Sequence, residues 1–227
     1  MDYNKLNLDN VTLLSVDGRD DRDVLDTLIN AAKYALKNIT FKSVKIISGC
    51  RDFPSIQGIE FYYKKIESIE AYNQFVLKEL VNYVFSEYSI LYQSDGFITN
   101  PDNWLDEFLN YDYIGAPWVD SEWNMGNRVG NGGFSLRSRK LLKETSISDS
   151  FDDSVSEDLQ ICVHNKKYLE SKGIKFCPPQ IASLFSVEHS TEFNSDIKKS
   201  FGFHGSSKSY EIYDRTLSTI NNLLRNE

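Results

Sequence analysis

The chain of 227 residues has only three cysteines, Cys50, Cys162 and Cys177, and no CxxC pair. A disulfide framework or zinc cage is therefore excluded, and reduced thiols are expected. Long apolar runs are missing too. No stretch approaches the roughly eighteen residues a membrane helix needs, and Met-Asp-Tyr-Asn-Lys-Leu-Asn at the start lacks an apolar signal core. The expectation is a cytoplasmic protein without a transmembrane segment. Positive charge is in deficit, with a formal net charge of -8. That argues against nucleic acid as a partner, and admits a small anionic ligand only where a metal or a few local cations neutralise it. There is no GxGxxG after a strand, no GxxxxGK[ST] loop and no Gx[SC]xG elbow. Dinucleotide, P-loop and serine or cysteine hydrolase readings lose their main support. No internal repeat, low-complexity tract or Pro/Ser linker divides the chain, so one domain is expected.

What is present is an ordinary globular composition, 41% hydrophobic and 26% charged, which argues against disorder. Val11–Val16, closed by Asp17-Gly18, reads as a buried strand. From about Asp23 to Lys37 the positions Val24, Leu28, Ala31, Ala32 and Ala35 form one helical face. Val44–Ser48, closed by Gly49, predicts a second strand. Glu70–Tyr88 carries another helical face, and Ile90–Asp95 predicts a third strand. This alternation implies an α/β fold with a parallel sheet and right-handed crossovers. The second half has short segments rich in Gly, Trp, Tyr and Asn, then a helix near Asp158–Ser171. A last amphipathic helix, with Tyr213, Leu217, Ile220 and Leu224 on one face, is expected over residues 208–226.

Asp95 closes the run Ser89-Ile-Leu-Tyr-Gln-Ser-Asp95 and precedes Gly96. Ligands of open α/β sheets bind beyond the carboxyl ends of strands. A carboxylate there suits a divalent cation held against a phosphate, although a solvated turn acid is the plain alternative. Val129-Gly-Asn-Gly-Gly-Phe-Ser-Leu-Arg137 has three glycines in four residues, which permits close backbone approach to a ligand or simply makes a turn. In Ser156-Glu-Asp-Leu, Ser156 would cap a helix whose first turn holds Glu157 and Asp158. Phe201-Gly-Phe-His204-Gly205 is either a ligand-bearing turn or a buried aromatic turn with a satisfied histidine.

The order of these segments resembles the glycosyltransferases of the GT-A fold. Gly-Asn-Gly-Gly-Phe-Ser-Leu and Ser-Glu-Asp-Leu are similar to segments of inverting galactosyltransferases and fringe-like enzymes. Together with Gln-Ser-Asp-Gly-Phe and Tyr-Ile-Gly-Ala-Pro-Trp, they resemble a group of bacterial and viral GT-A-like domains whose function is mostly inferred. The resemblance spans about Val11 to Gly205. It implies a mixed, mostly parallel central sheet flanked by helices. Residues of about 11–100 would form the nucleotide-sugar half and about 101–205 the acceptor and catalytic half.

The resemblance also implies roles. Gln93-Ser94-Asp95 stands where the family has a DxD-type motif, with only the final acid kept. Asp95 and His204 would hold Mn²⁺ or Mg²⁺ on the donor diphosphate. Val16 and Asp17 would contact the nucleoside. Ser94, Asp95, Gly132 and Gly133 would complete donor binding. Asp158 would be the general base of an inverting hexosyl or deoxyhexosyl transfer, with Glu157 its alternative or structural neighbour. Trp118 and Trp123 would form an acceptor platform, or else pack as ordinary partly buried rings. The implied donor is UDP-linked and the acceptor a glycan or polysaccharide. Two rivals stay open. One is a metal-dependent nucleotidyltransferase, although Asp17-Gly-Arg-Asp-Asp-Arg22 has a single glycine. The other is a non-catalytic sugar-binding or assembly module on the same fold.

Overall fold

The computed structural model describes residues 5–152, 154–194 and 196–205. The first strand, β1 (Leu6–Asp17), is buried without interruption from Val11 to Val16. Helix α1 (Arg22–Asn38) follows; Asp21 caps it by accepting the Val24 N–H at 3.1 Å. Of the expected face Leu28, Ala31, Ala32 and Ala35 are buried, while Val24 is half-buried and Leu25 takes its place in the core. Then come β2 (Ile39–Ser48), the short edge strand β3 (Glu60–Tyr63), α2 (Ile69–Gln74) and β4 (Tyr88–Tyr92).

The six-stranded sheet runs β3-β2-β1-β4-β6-β5, with β5 at Tyr113–Ile114 and β6 at Phe134–Ser138. The four strands β1 to β4 are mutually parallel, whereas β6 runs antiparallel to β4 and to β5. The expected α/β architecture, mixed and mostly parallel, is present. The antiparallel step has a consequence for the site. Tyr92 faces Phe134 in the β4–β6 register, so the residues just beyond, Gln93 and Gly133, also meet.

Several elements depart from the expected bounds. The strand ending at Asp95 stops at Tyr92, because Gln93 and Gly96 exchange backbone hydrogen bonds of 3.0 and 3.2 Å and close a turn. Asp95 therefore sits in that turn, beyond the strand. The helix expected over Glu70–Tyr88 passes from α2 into a π-helical turn (Phe75–Glu79) and a 3₁₀ turn (Leu80–Tyr83), and ends there as Val84 becomes extended. In the second half, α3 (Arg139–Ile147), α4 (Glu157–Leu159), α5 (Lys166–Ser171) and α6 (Pro179–Phe185) are helical. A π-helical turn at Gln160–His164 lies between α4 and α5. Ser156 precedes α4, but its side chain makes no capping bond. The Glu157 N–H is instead bonded to buried Asn73 Oδ1 at 3.3 Å, and the Leu159 N–H to Asp158 Oδ1 at 2.9 Å. The helix expected over 208–226 lies outside the described residues.

Two short parallel strands, β7 (Ser186–Val187) and β8 (Gly202–Phe203), close the described chain. Phe134, Phe185 and Phe201 pack ring against ring with centroids 5.1 to 6.3 Å apart, and Trp104 lies edge-on to Phe201 at 5.1 Å. Such pairs contribute about 0.5–1.5 kcal/mol each beyond the area they bury. They fix the residues leading into His204 against the start of β6.

Candidate functional site

At the carboxyl ends of β1 and β4 lies a cleft of about 570 Å³, lined by Asp17, Arg19, Ile66, Tyr72, Ser94 and Asp95 among others. It occupies the point where the chain leaves the sheet to opposite sides of β1, the usual ligand crevice of such folds. Val16 also lines it, but is only 3% exposed and belongs to the core. The more accessible apolar wall is Ile66 with Ile69, the latter 63% exposed.

One wall of the site is built around His204. Strands β7 and β8 end side by side, so Glu188 and His204 emerge as neighbours. The His204 N–H bonds the Val187 carbonyl at 3.0 Å, and the Gly205 N–H bonds the Asp95 carbonyl at 2.5 Å. The imidazole Nδ1 is 3.2 Å from Glu188 Oε1; Nε2 is 3.2 Å from Gln93 Oε1 and 3.5 Å from Asp95 Oδ1. The Gln93 amide is oriented by donating to the Tyr72 hydroxyl at 2.9 Å. Burial opposes charging of the ring, but Asp95 and Glu188 prevail and hold its pKa up to about 9. Burial likewise raises the Asp95 carboxyl, and His204 overcomes it, leaving the group below its ordinary value.

Glu188 accepts from Nδ1, and Nε2 faces a carboxylate and an amide oxygen; with the ring pKa held up to about 9, a cation would bind here only by displacing the Nε2 proton. Among the described residues no group of three His, Cys, Asp or Glu side chains is gathered for a metal; here the third vertex is the neutral Gln93. The proton on His204 has its own consequence. A ring pKa raised from 6.5 to about 9 stabilises the folded state fully below pH 6.5, and the contribution disappears as pH rises through the folded value. In chelator-treated protein, the melting-temperature gap between wild type and His204→Gln is expected to shrink steadily from pH 6.5 to pH 9.5. A constant gap would show that the ring is not coupled to its two carboxylates.

Packed directly behind His204 and Gln93 is the buried glycine-rich segment entering β6. A Cβ on Gly133 would lie 2.0 Å from His204 Nε2 and 2.7 Å from Gln93 Oε1, whereas one on Gly132 would lie 1.7 Å from Glu157 Oε1. Only glycine fits at either position. The preceding Asn131 adopts φ 64° and accepts the Gly133 N–H at 3.1 Å, which turns the chain into the gap. Two consecutive residues thus separate the His204 cluster from the acidic pair.

Within that pair the roles divide. Glu157 is 4% exposed and bonds fully buried Arg137 at 2.8 Å, so it faces inward. Burial raises its carboxyl pKa, against the pull of Arg137. Asp158 is half-buried; its Oδ2 accepts the Gly132 N–H at 3.1 Å and its Oδ1 the Leu159 N–H. Backbone donors therefore fix the orientation of the Asp158 carboxylate.

The tryptophans divide likewise. Trp118 is only 5% exposed, with a ring so close to Gly130 that a Cβ there would lie 1.9 Å from it. It backs Trp123 edge-on at 4.9 Å instead of offering a face of its own. Trp123 is 48% exposed and Met125 beside it 70%. Buried Asn124 pins their loop by donating to the Val119 carbonyl at 2.9 Å.

Of the residues singled out in sequence, Val16, Asp17, Ser94 and Asp95 line the cleft; His204, Gly133, Gly132, Glu157 and Asp158 lie outside its lining and pack in succession behind Asp95, while Trp118 and Trp123 pair with each other apart from both groups. Arg19, Gln93 as a positive contributor, Arg137 and Glu188 were not anticipated. Arg137 ends the glycine-rich run, but an arginine at the end of a strand gives no sign of burial. Glu188 has no local motif and is brought in by the β7–β8 pairing alone.

Solved structures similar to this one include GT-A glycosyltransferases. The galactosyltransferase LgtC, in complex with donor and acceptor sugar analogues, superposes with a TM-score of 0.52 at 11% identity, over 92% of this chain and 95% of that one. A glycosyltransferase involved in glycosylation of the major capsid of PBCV-1 gives 0.51 at 15% identity, over 92% and 98%. GlyE of Streptococcus pneumoniae gives 0.52 at 12% identity, over 95% of this chain and 63% of its own. At such identities the likeness defines the fold: this is a GT-A-fold protein. The chain belongs to the family described as protein of unknown function (DUF5672), which matches residues 55–204. No curated protein matches it. Among the described residues no helix is long and apolar enough to cross a membrane.

Proposed function

We propose that the chain transfers a sugar from a nucleoside-diphosphate donor, UDP-linked, to a glycan or polysaccharide acceptor with inversion at the anomeric carbon. One observation carries this reading. Gly132 and Gly133 bring a cation-type donor set and an oriented carboxylate to opposite sides of the same backbone segment. The nucleoside would occupy the cleft beside Asp17, with the donor sugar directed toward the Gly132-Gly133 segment behind Asp95. Asp95, His204 Nε2 and Gln93 Oε1 would hold Mn²⁺ or Mg²⁺, which supplies charge neutralisation for the departing diphosphate. Asp158, held by two backbone N–H groups, takes the acceptor hydroxyl proton as that oxygen bonds the anomeric carbon. The bond from that carbon to the diphosphate oxygen breaks, and the nucleoside diphosphate leaves with the electron pair. Glu157 stays behind as the inward-facing support of Asp158. Trp123, backed by Trp118, offers a flat apolar face for acceptor sugar rings.

The test is thermal stability and slow donor hydrolysis across UDP- and GDP-sugars, with and without Mn²⁺. A ligand at a hundredfold excess over its Kd stabilises the native state by about 2.7 kcal/mol. Wild type is expected to show a metal-stimulated shift and to release sugar from its donor; Asp95→Ala is expected to lose the metal-stimulated part. A shift with free glycan but with no nucleotide would instead identify a non-catalytic sugar-binding module.

A further inference from the structure

The donor cleft is short of positive charge. Among its described lining residues Asp17, Glu67 and Asp95 are acidic, and Arg19 is the one cationic side chain. A helix N-terminus following the first strand is a common seat for phosphate. Here the N-terminus of α1 is already taken, because Asp21 accepts the Val24 N–H at 3.1 Å and Asp23 adds another acid in the first turn. A diphosphate entering this cleft must therefore find its protein cation on a side chain.

Arg19 is built for that exchange. It stands two residues beyond the end of β1. Its guanidinium grips Asp17 in a fork, Nε to Oδ1 at 2.9 Å and Nη2 to Oδ2 at 2.5 Å, and its backbone N–H also reaches Oδ1 at 3.1 Å. The side chain of Asp17 is 15% exposed and that of Arg19 63%, so the aspartate is the anchor and the arginine the arm. The negative field extends across the cleft, where Asp95 as well as Asp17 favours the charged guanidinium. A fork that matches a carboxylate also matches a phosphate, and an exposed ion pair of this kind is weak enough to exchange at little cost.

We propose that Arg19 binds the diphosphate of the donor, releasing Asp17 as it does so, and that this exchange makes the cleft select nucleoside diphosphates over nucleosides. The inference rests on the donor-binding role given to the cleft above. Asp17 keeps the guanidinium folded back toward the end of β1. With donor present, Arg19 turns to the phosphate oxygens and the freed Asp17 carboxylate accepts hydroxyl donors of the nucleoside. The neutral Gln93, standing where a second acid would add negative charge, and the cationic Arg19 then act in the same direction on the phosphates.

The experiment measures affinity for uridine, UMP and UDP, and for the guanosine series, in wild type, Arg19→Gln and Arg19→Lys, each in EDTA and in Mn²⁺. Hydrogen bonds to charged groups are worth enough to predict that Arg19→Gln weakens diphosphate binding by about 10- to 100-fold. Nucleoside affinity should rise, because Asp17 is then free without a phosphate to draw its arginine away; the melting temperature should stay close to wild type, the pair being exposed, and Arg19→Lys should recover part of the diphosphate loss. Equal weakening of nucleoside and diphosphate, or diphosphate affinity indifferent to Arg19, overturns this inference and leaves the donor reading standing. Wild-type protein that binds no nucleotide under either condition overturns both.

Discussion

Arg137→Ala is expected to destabilise the fold by about 3–5 kcal/mol, the cost of leaving one member of a buried ion pair without its partner. The Arg137 side chain is 0% exposed and that of Glu157 5%. The guanidinium donates to Glu157 Oε1 at 2.8 Å, to Ser135 Oγ at 3.0 Å and to the Gly132 carbonyl at 3.4 Å, and it lies 5.5 Å from the Tyr113 ring centroid. Nη1 and Glu157 Oε2 are buried without a hydrogen-bond partner, so the pair is only partly satisfied. Removing one charge exposes the other to the full penalty of desolvation. Removing both does not, and the double variant Arg137→Met with Glu157→Leu is expected to recover most of the loss. Urea denaturation of the two single variants and the double one checks this. If the double variant costs the sum of the singles, the two residues are not coupled. Even when folded, the double variant should transfer sugar poorly. Arg137 and Glu157 brace Gly132 from its carbonyl and Cα sides, and Gly132 holds Asp158.

Much of the front half was legible because its signals are local. A buried run closed by Asp17-Gly18, a helix of apolar residues spaced three and four apart, and a second apolar run dictate β1, α1 and β2 by burial alone. The elements that escaped notice have weak local signals. Strand β3 is a four-residue edge with no fully buried side chain, and α3 follows directly from β6 without a glycine or proline to announce it. The site shows the same division. Asp95, Gly132, Gly133, Asp158 and His204 stand in motifs whose order suggests their chemistry. Arg19 and Glu188 gain theirs from neighbours that only the fold supplies, an Asp17 carboxylate across a turn and a His204 ring across the β7–β8 pair. The acid pair Glu157-Asp158 is the sharpest case. Adjacent residues of the same charge look interchangeable in sequence, yet α4 turns one inward to Arg137 and leaves the other half-buried on the Gly132 N–H.

That division sets the second large effect. Asp158→Asn keeps one oxygen able to accept the Gly132 N–H, gives up the second bond to the Leu159 N–H, and removes the proton acceptor. Positioned bases contribute roughly 10²–10⁴-fold, so kcat for transfer is expected to fall by about that factor. Donor affinity should stay close to wild type, with a stability loss of about 1 kcal/mol for the one bond given up. Asp158→Ala removes both backbone bonds, and should roughly double that stability loss at the same loss of rate. Single-turnover transfer to a glycan acceptor separates chemistry from product release, and the NMR coupling of the product's anomeric proton reports its configuration. Full turnover by Asp158→Asn would remove Asp158 as the base. A product that keeps the donor's anomeric configuration would remove inversion instead, because a single displacement assisted from one face must invert the carbon it attacks. The two results are independent. The first bears on which carboxylate moves the proton; the second bears on whether the acceptor oxygen reaches the anomeric carbon from the side on which the Gly132 N–H holds Asp158.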